Sequence, residues 1–378
     1  MSAFIVDYVR SPFTPAHKGA LIGVRPDDLV AAVIRELVRR TGVEPGLIED
    51  VVLGCAFPEG EQGLNIGRCA VLLAGLPIHV GGSTVNRWCG SSMQAVQMAA
   101  GAIAMGAGDI HIAGGVESMT RVPMMGFDPK PNPAWSEGLK TDFLNMGLTA
   151  EAVATLYKIG REAQDAYAAQ SQARAAAAQA DGRLAAELAP IQTEAGLVAA
   201  DGCIRGGTTV EKLGTLKTVF MPDGGTVTAG NASPLTDGAS AVLVASEAAV
   251  TSGGLKPLAR IAGYAISGCA PHIMGIGPVE ASRKAMARAG VKAADLDVIE
   301  MNEAFAAQVL ACCTDLDIDP ARLNRDGGAI AIGHPLGATG ARLVGKAASL
   351  LKRDGGRYAL ATQCIGGGQG IAMVLEAV

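Results

Sequence analysis

One cysteine of this chain stands where a protein can make a thiol nucleophilic. Cys89 lies in the segment Asn86-Arg-Trp-Cys-Gly-Ser-Ser-Met, and an apolar helix is predicted to begin directly after it. Backbone N–H groups and the helix dipole at such a junction lower the pKa of a thiol and stabilise its thiolate. The same N–H groups can stabilise an oxyanion. The segment predicts a cysteine nucleophile, and the alternative is a small residue packed beneath a turn.

A histidine occupies a comparable turn much later in the chain. His334 lies in the glycine-rich segment 326–342, between an apolar run and a helix predicted from Ala338. The chain contains an internal repeat with an offset of about 248 residues. In the second copy, the position equivalent to Cys89 is residue 337, three residues beyond His334. If the copies pack about a pseudo-twofold axis, both turns meet and form the cysteine–histidine pair that activates a thiol. The alternative is a phosphate-binding loop, but no Lys-Ser/Thr follows the glycines, which excludes a P-loop.

Two further polar residues stand at the ends of predicted strands. Cys364 follows the strand 358–362 and precedes Gly366 and several other glycines. This glycine pattern is similar to a dinucleotide loop, but it leaves no room for the helix and acidic strand end of a Rossmann unit. Asn302 is a neutral donor suited to holding a water molecule or a carbonyl oxygen, and the alternative is an ordinary cap.

An internal repeat supplies the elements that position these residues. Segments 32–57 and 281–305 each contain an amphipathic helix, a Gly-Val exit, a short acidic connection and an apolar strand. Asp50 corresponds to Asp297, an offset of 297 − 50 = 247 residues. The sequence therefore predicts two copies of one α/β unit.

A second match supports the repeat and suggests a division into domains. Strands entered at Gly108 and Gly356 correspond at an offset of 356 − 108 = 248, which argues against chance. We assign residues 1–118 to an N-terminal half with the nucleophile and residues 247–378 to a C-terminal half. The segment 119–246 has a different texture and is predicted to be an inserted loop domain over the site.

The composition excludes some classes of function. Of 378 residues, 49% are hydrophobic, 18% are charged and 4% are aromatic, and the net charge is -5. The chain lacks the clustered cations and stacking aromatics that nucleic-acid binding needs, so no nucleic-acid partner is expected. The low charged fraction predicts extensive hidden surface, in a core or in subunit contacts.

The start of the chain and its cysteines predict a cytoplasmic protein. Residues 1–8 lack the basic segment and long apolar stretch of a signal peptide. The uncharged segment 88–108 is too weakly hydrophobic for a membrane span. The eight cysteines form no CxxC pair and no histidine pair stands at zinc spacing, so no metal site is expected.

Taken together, the motifs resemble those of the thiolase family. The marks are NRWCGSSMQA (86–95), MNEAFAAQ (301–308), GGAIAIGHPLGATGAR (327–342) and CIGGGQG (364–370), in order along essentially the whole chain. Within the family, GVESMTRVPM (115–124) and PHIMGIGPV (271–279) are most similar to bacterial 3-ketoacyl-CoA thiolases of fatty-acid β-oxidation.

The resemblance implies an α/β fold and a role for each candidate. The fold would be a five-layered α/β/α/β/α arrangement of two halves plus the loop domain. Cys89 would be the acylated nucleophile, and His334 would deprotonate it and help bind the thioester oxygen. Cys364 would be the acid/base, and Asn302 would fix a water in one oxyanion hole. The N–H groups of Cys89 and Gly366 would form the other hole.

The resemblance also implies coenzyme A as co-substrate, with no permanently bound cofactor. Arg205 would face its nucleotide part. The residues expected along its pantetheine path and near the thioester are Phe220, Ala229, Ser233, Met146 and Phe305. One position departs from the short-chain pattern: Asn145 stands where acetoacetyl-CoA thiolases usually place a histidine, which favours longer acyl chains.

The sequence is also compatible with other functions. One is a biosynthetic acetyl-CoA acetyltransferase that condenses two acetyl-CoA molecules, and another is a silent acyl-CoA-binding or scaffold subunit. A decarboxylating ketoacyl synthase lacks a cysteine equivalent to Cys364, which argues against that relative. The family habit implies a homodimer or homotetramer, and a hydratase/dehydrogenase subunit of a β-oxidation complex as a further partner.

Overall fold

Strands and helices alternate along the chain as the repeat predicts. The structure is a computed structural model that describes residues 2–378, and within them it contains twelve strands and twelve α-helices. The strands are β1 Ala3–Arg10, β2 Thr14–Pro15, β3 Asp50–Gly54, β4 Gly81–Val85, β5 Ile110–Ser118, β6 Ile191–Thr193, β7 Gly196–Val198, β8 Thr236–Ser246, β9 Ala259–Gly268, β10 Val298–Met301, β11 Tyr358–Ile365 and β12 Gln369–Ala377. The helices are α1 Pro26–Thr41, α2 Ile66–Leu73, α3 Ser91–Ala104, α4 Glu137–Leu144, α5 Met146–Leu156, α6 Arg161–Ala180, α7 Val210–Gly214, α8 Glu247–Ser252, α9 Gly277–Ala289, α10 Ala306–Leu316, α11 Ala329–Ile332 and α12 Thr339–Asp354.

The sheet topology repeats in the two halves. One continuous hydrogen-bonded path runs in the order β10-β11-β12-β9-β1-β8-β5-β3-β4, with β2 paired to β8. In the first half, β4-β3 and β3-β5 are parallel, whereas β5-β8 and β8-β1 are antiparallel. In the second half, β10-β11 is parallel, β11-β12 and β12-β9 are antiparallel, and Leu323 bridges in parallel to β10 in place of an edge strand. The repeated order confirms the predicted repeat.

Five layers follow from how the helices cover this sheet. Within residues 2–378, strand pairing links the two halves of the sheet only where β1 meets β9, at Phe4 with Arg260 and Ile5 with Ala259. One core cluster lies between the first half of the sheet and α1 and α2, and another between the second half and α9 and α10. A third surrounds α3 and α12, which form the central layer between the two halves. The predicted α/β/α/β/α arrangement is confirmed.

The two central helices meet close to their N-termini. A Cβ atom added at Gly340 would lie 2.3 Å from the backbone nitrogen of Met93, so the helices approach to backbone contact only because this residue is glycine. The Ser92 hydroxyl accepts a hydrogen bond from the Ala341 N–H at 2.9 Å. The turns that precede α3 and α12 are therefore brought together.

The segment between the halves differs in extent from the predicted insertion. Strand β8, the last eleven residues of the range 119–246, lies within the sheet between β1 and β5. Its small and branched apolar residues are buried along the whole strand, which is typical of a strand covered on both faces. The loop segment thus ends before residue 236, and the three-domain division stays a prediction. No helix among residues 2–378 is both long and apolar enough to cross a membrane.

Buried ion pairs tie α12 to the loop segment. Lys346 lies 2.6 Å from Glu187 and 2.7 Å from Asp326, and Arg10 also contacts Glu187. Burial raises a carboxyl pKa, but Lys346 and Arg10 outweigh it and lower the pKa of Glu187 from 4.5 to about 2. Because the folded pKa is depressed, this carboxylate stabilises the fold above pH 4.5 and ceases to do so as the pH falls toward 2.

We therefore expect Glu187→Gln to lower stability at neutral pH by about 3 kcal/mol and to flatten its acid dependence, since it removes one partner of a buried pair. Urea unfolding followed by circular dichroism at neutral and acidic pH measures both effects. An unchanged slope of stability against pH in the variant would contradict this account.

Candidate active site

Three distant chain segments line one cavity of about 290 Å³. They contribute Cys89, His334 and Cys364, so the two thiols and the imidazole predicted to meet do so. The other predicted residues on the cavity wall are Gly366, Met146, Phe220, Ser233 and Phe305. Most of the wall is apolar, and its further members include Met119, Met124, Leu144, Leu235 and Leu336.

Cys89 lies in a short 3-10 turn, Trp88–Gly90, that runs directly into α3. Trp88 has φ of 44°, a left-handed conformation that is unusual for a bulky residue and marks a constrained turn. Gln363 donates a side-chain hydrogen bond to the Cys89 carbonyl oxygen and holds this turn against β11. The Cys89 side chain is partly exposed at the cavity.

The resting thiol differs from the sequence-based expectation. Its pKa is raised to about 11, although a lowered value was predicted from the helix N-terminus. Burial is the main cause, and the charge of Glu117 adds to it. The N–H groups of Gly366 and of Cys89 itself point toward the sulfur and lower the pKa, but by less. The thiol therefore needs a base to ionise, and the two N–H groups predicted for an oxyanion hole flank the sulfur.

His334 is held as a neutral base. Burial, with a smaller effect of Arg342, lowers the pKa of this imidazole to about 3. Its Nδ1 lies 2.6 Å from the Thr339 hydroxyl, which itself donates to the Pro335 carbonyl at 2.9 Å. The hydroxyl proton is thus engaged, so Nδ1 carries a proton and donates a hydrogen bond to the Thr339 oxygen. The Nε2 lone pair is left to accept.

Asn302 lies beside that lone pair. Its Nδ2 is 3.3 Å from His334 Nε2, and its backbone N–H donates to the Thr362 carbonyl at 2.9 Å. Among the described residues, none provides a hydrogen-bond partner for its buried Oδ1. A buried amide oxygen without a protein partner suits a water molecule, which is the role the resemblance implied.

Cys364 is fully enclosed near the end of β11. Burial and then the negative charge of an ionised Cys89 hold the pKa of its thiol well above the ordinary value. The strand ends at a turn in which Gly367 and Gly368 have φ of 79° and 84°, conformations that favour glycine. The two thiols are close enough to interact, and ionisation of one disfavours ionisation of the other.

Two predicted coenzyme A residues lie elsewhere. Arg205 and Ala229 line a smaller neighbouring cavity of about 50 Å³, which shares Pro234 with the main cavity. The four other predicted residues line the main cavity itself. The six residues therefore follow two adjoining cavities rather than one.

Several residues that shape the site were not found from the sequence. One of them is Thr339, which lies five residues after His334 in the motif 327–342. This short spacing is a local signal from which its contact with His334 could have been predicted. Gln363 and Cys89 are 274 residues apart, and no local pattern links them. Among residues 2–378, no group of three or more His, Cys, Asp or Glu side chains is arranged to hold a metal ion.

Comparisons with known proteins identify similar chains over the full length. Residues 3–248 match the family described as "Thiolase, N-terminal domain", and residues 255–377 match "Thiolase, C-terminal domain". A beta-ketoadipyl-CoA thiolase of Escherichia coli is 48% identical over 402 residues, covering 100% of this chain and 99% of that protein. A 3-ketoacyl-CoA thiolase of Bacillus subtilis (strain 168) is 44% identical, covering 99% of each chain. The crystal structure of human mitochondrial 3-ketoacyl-CoA thiolase in complex with CoA superposes with a TM-score of 0.92 at 39% identity, covering 100% of this chain and 98% of that one.

Proposed function

Given that the chain belongs to the thiolase family of acyltransferases, we propose that it cleaves 3-ketoacyl-CoA with CoA, through an acyl–Cys89 intermediate, to acetyl-CoA and a shortened acyl-CoA. The family and fold predicted from the motifs are confirmed by the matches. The observation that carries the proposal is that Cys89, His334 and Cys364 line one cavity. A covalent thioester keeps the acyl group in place while one CoA product leaves and CoA enters.

The first half-reaction forms the acyl-enzyme. Neutral His334 takes the proton of Cys89, and the thiolate attacks the keto carbon of the substrate. The bond between the keto carbon and its neighbour toward the thioester then breaks, and its electron pair passes toward the thioester oxygen. Protonated His334 and a water on Asn302 stabilise that oxygen. Cys364 donates its proton to the carbanion, which leaves as acetyl-CoA.

The second half-reaction transfers the acyl group. The Cys364 thiolate takes the proton of the incoming CoA thiol, and the CoA sulfur attacks the acyl carbonyl. The N–H groups of Cys89 and Gly366 stabilise the resulting oxyanion, each such donor contributing about 3 kcal/mol in comparable sites. Cys89 then leaves as a thiolate and takes its proton back from protonated His334, which restores the resting enzyme. Every proton and electron pair thus has a donor and an acceptor among the reactants and the named side chains.

We place CoA along the two adjoining cavities. The thioester end would lie among Met146, Phe305 and Ser233 in the main cavity. The nucleotide would lie toward Arg205, whose cavity adjoins at Pro234. CoA is a co-substrate in this scheme and is not permanently bound.

The cavity wall favours an uncharged acyl chain. Of the described residues that line it, none is lysine or arginine. A terminal carboxylate on the acyl chain, as in the substrate named for the Escherichia coli relative, would be buried there without a cation, at a cost of several kcal/mol. Asn145 also lines the cavity, in place of the histidine typical of acetoacetyl-CoA thiolases.

A matched pair of substrates tests this preference. The compounds 3-ketohexanoyl-CoA and 3-oxoadipyl-CoA have the same acyl length and differ at the terminal carboxylate. We expect kcat/KM for thiolysis to be at least about 100-fold higher for the uncharged compound. The variant Met124→Lys, which brings a cation to the cavity wall, should narrow the ratio. Equal or reversed kcat/KM values in the wild type would contradict the proposed substrate class.

The alternatives differ in measurable ways. A biosynthetic acetyltransferase would prefer acetoacetyl-CoA over longer 3-ketoacyl-CoA, and a substrate-length series separates it from the proposed enzyme. A silent binding or scaffold subunit would form no acyl adduct with acetyl-CoA, which intact-protein mass spectrometry detects. The cytoplasmic location, the homodimer or homotetramer and the hydratase/dehydrogenase partner stay predictions.

A further inference from the structure

Glu117 is a buried carboxylate that joins the two halves of the protein behind the site. It lies at the end of β5 and is not among the residues on the cavity wall. One of its oxygens accepts hydrogen bonds from the N–H groups of Ala56 and Gly337, both at 2.8 Å. The other accepts from the Phe57 N–H at 3.2 Å and from Gln62 Nε2 at 2.9 Å. Three donors belong to the first half, and Gly337 belongs to the second.

The internal repeat relates the position of Glu117 to a position in the second half of the chain. Val51 pairs with Ile112 in the first half as Val298 pairs with Ala359 in the second, the same separation of 61 residues (112 − 51 and 359 − 298). The offset of 247 residues therefore carries Glu117 onto position 364. The first half thus has a carboxylate where the second half has its proposed acid/base thiol.

The same offset relates their neighbours. It carries Cys55 onto Asn302, and the Cys55 sulfur lies 3.7 Å from Glu117. The turn that corresponds to the Cys89 turn is Leu336–Ala338, which contains Gly337. In the first half's counterpart of the site, the carboxylate of Glu117 is therefore hydrogen-bonded to the turn that follows His334.

The turn at 336–338 connects His334 to Thr339, the residue that binds its imidazole. Gly337 lies three residues after His334 and two before Thr339, whose hydroxyl binds His334 Nδ1. The contact is close, because a Cβ atom added at Gly115 on β5 would lie 2.0 Å from the Gly337 carbonyl oxygen. We propose that Glu117 is a positioning residue that fixes the 334–339 turn against the nucleophile half and so holds the His334 imidazole where it can deprotonate Cys89.

This proposal rests on the proposed function for the role of His334, but its test does not require turnover. Alkylation of Cys89 by iodoacetamide at neutral pH, read by peptide mass spectrometry, reports how readily the thiol ionises. We expect Glu117→Gln to slow it about tenfold, because a displaced His334 would lose part of a general-base assistance that contributes about 100-fold or more when intact. In a His334→Ala background the same substitution should change the rate less than about twofold, because the base is already lost.

An electrostatic role for Glu117 predicts the opposite change in the alkylation rate. The charge of Glu117 raises the pKa of Cys89, so a purely electrostatic role predicts faster alkylation in Glu117→Gln. Faster alkylation, an unchanged rate, or equal slowing in both backgrounds would each overturn the positioning role. Glu117→Asp keeps the charge but shortens the reach, and it should slow alkylation as Glu117→Gln does.

Controls separate positioning from folding. Glu187→Gln also removes a buried carboxylate, but one bound to Arg10 and Lys346, and it should leave Cys89 alkylation within about twofold of the wild type. Labelling of buried Cys312 in the same peptide map reports unfolding. If neither Glu117 variant folds, the residue serves folding and the proposal fails. A wild type that alkylates at Cys89 but forms no acyl adduct would refute the proposed function alone.

Discussion

Replacing Cys89 by serine should abolish acyl-adduct formation and lower thiolysis by about 10⁴-fold or more, the scale seen when a covalent nucleophile is removed. The sulfur already has a raised pKa, of about 11, and depends on His334 to ionise. A serine hydroxyl ionises far less readily than a thiol, so the same base cannot activate it comparably. Rapid-quench mass spectrometry with acetoacetyl-CoA measures the adduct, and a coupled assay measures turnover.

Cys69→Ser is the matched control for this substitution. Cys69 is partly exposed on α2, and it does not line the cavity, so the variant should keep wild-type rates. An acyl adduct on another residue of Cys89→Ser, or turnover above about one per cent of the wild type, would show that the nucleophile lies elsewhere.

Replacing Cys364 by serine should slow cleavage of the carbon–carbon bond much more than transfer of the acyl group between Cys89 and CoA. We expect thiolysis of a 3-ketoacyl-CoA to fall about 10³-fold, because the departing carbanion loses its proton donor. Exchange of an acetyl group between Cys89 and CoA should fall less than about tenfold, since the free CoA thiol ionises near neutral pH and needs little help from a base to attack the acyl group. The two rates are measured by loss of the 3-ketoacyl absorbance and by isotope exchange into CoA.

Cys269→Ser provides the comparison for that variant. Cys269 is partly exposed, lies outside the cavity wall and should tolerate the change with both rates intact. If Cys364→Ser retained thiolysis, or lost both reactions equally, the assignment of the carbon–carbon step to this thiol would be wrong.

The meeting of Cys89 with His334 could be predicted from the sequence for a specific reason. An offset near 247 residues places their turns before equivalent helices, α3 and α12, and a pseudo-twofold axis brings such turns together. The prediction needed only local patterns and their repetition. It did not require any knowledge of which side chains pack between the halves.

The electrostatics of the same residues could not be predicted in that way. A helix N-terminus lowers a thiol pKa, but burial depends on how distant parts of the chain pack around the sulfur, and here burial outweighs the helix. Likewise, β8 was wrongly assigned to the insertion. Its place between β1 and β5 depends on pairing with strands more than a hundred residues away, which local sequence patterns do not show. Arg205 and Ala229 were separated from the main cavity by tertiary packing that no sequence spacing encodes.

The mutual influence of the two thiols has a consequence for the order of events. Because burial raises the pKa of Cys364, and an ionised Cys89 would raise it further, the resting enzyme retains the proton it will need for the carbanion. In the acyl-enzyme Cys89 is held as a thioester and cannot ionise, so the anion then formed on Cys364 has no negative sulfur beside it. An arriving CoA thiol therefore meets a deprotonated Cys364 only after the first half-reaction has passed its proton to the carbanion, so the two half-reactions alternate.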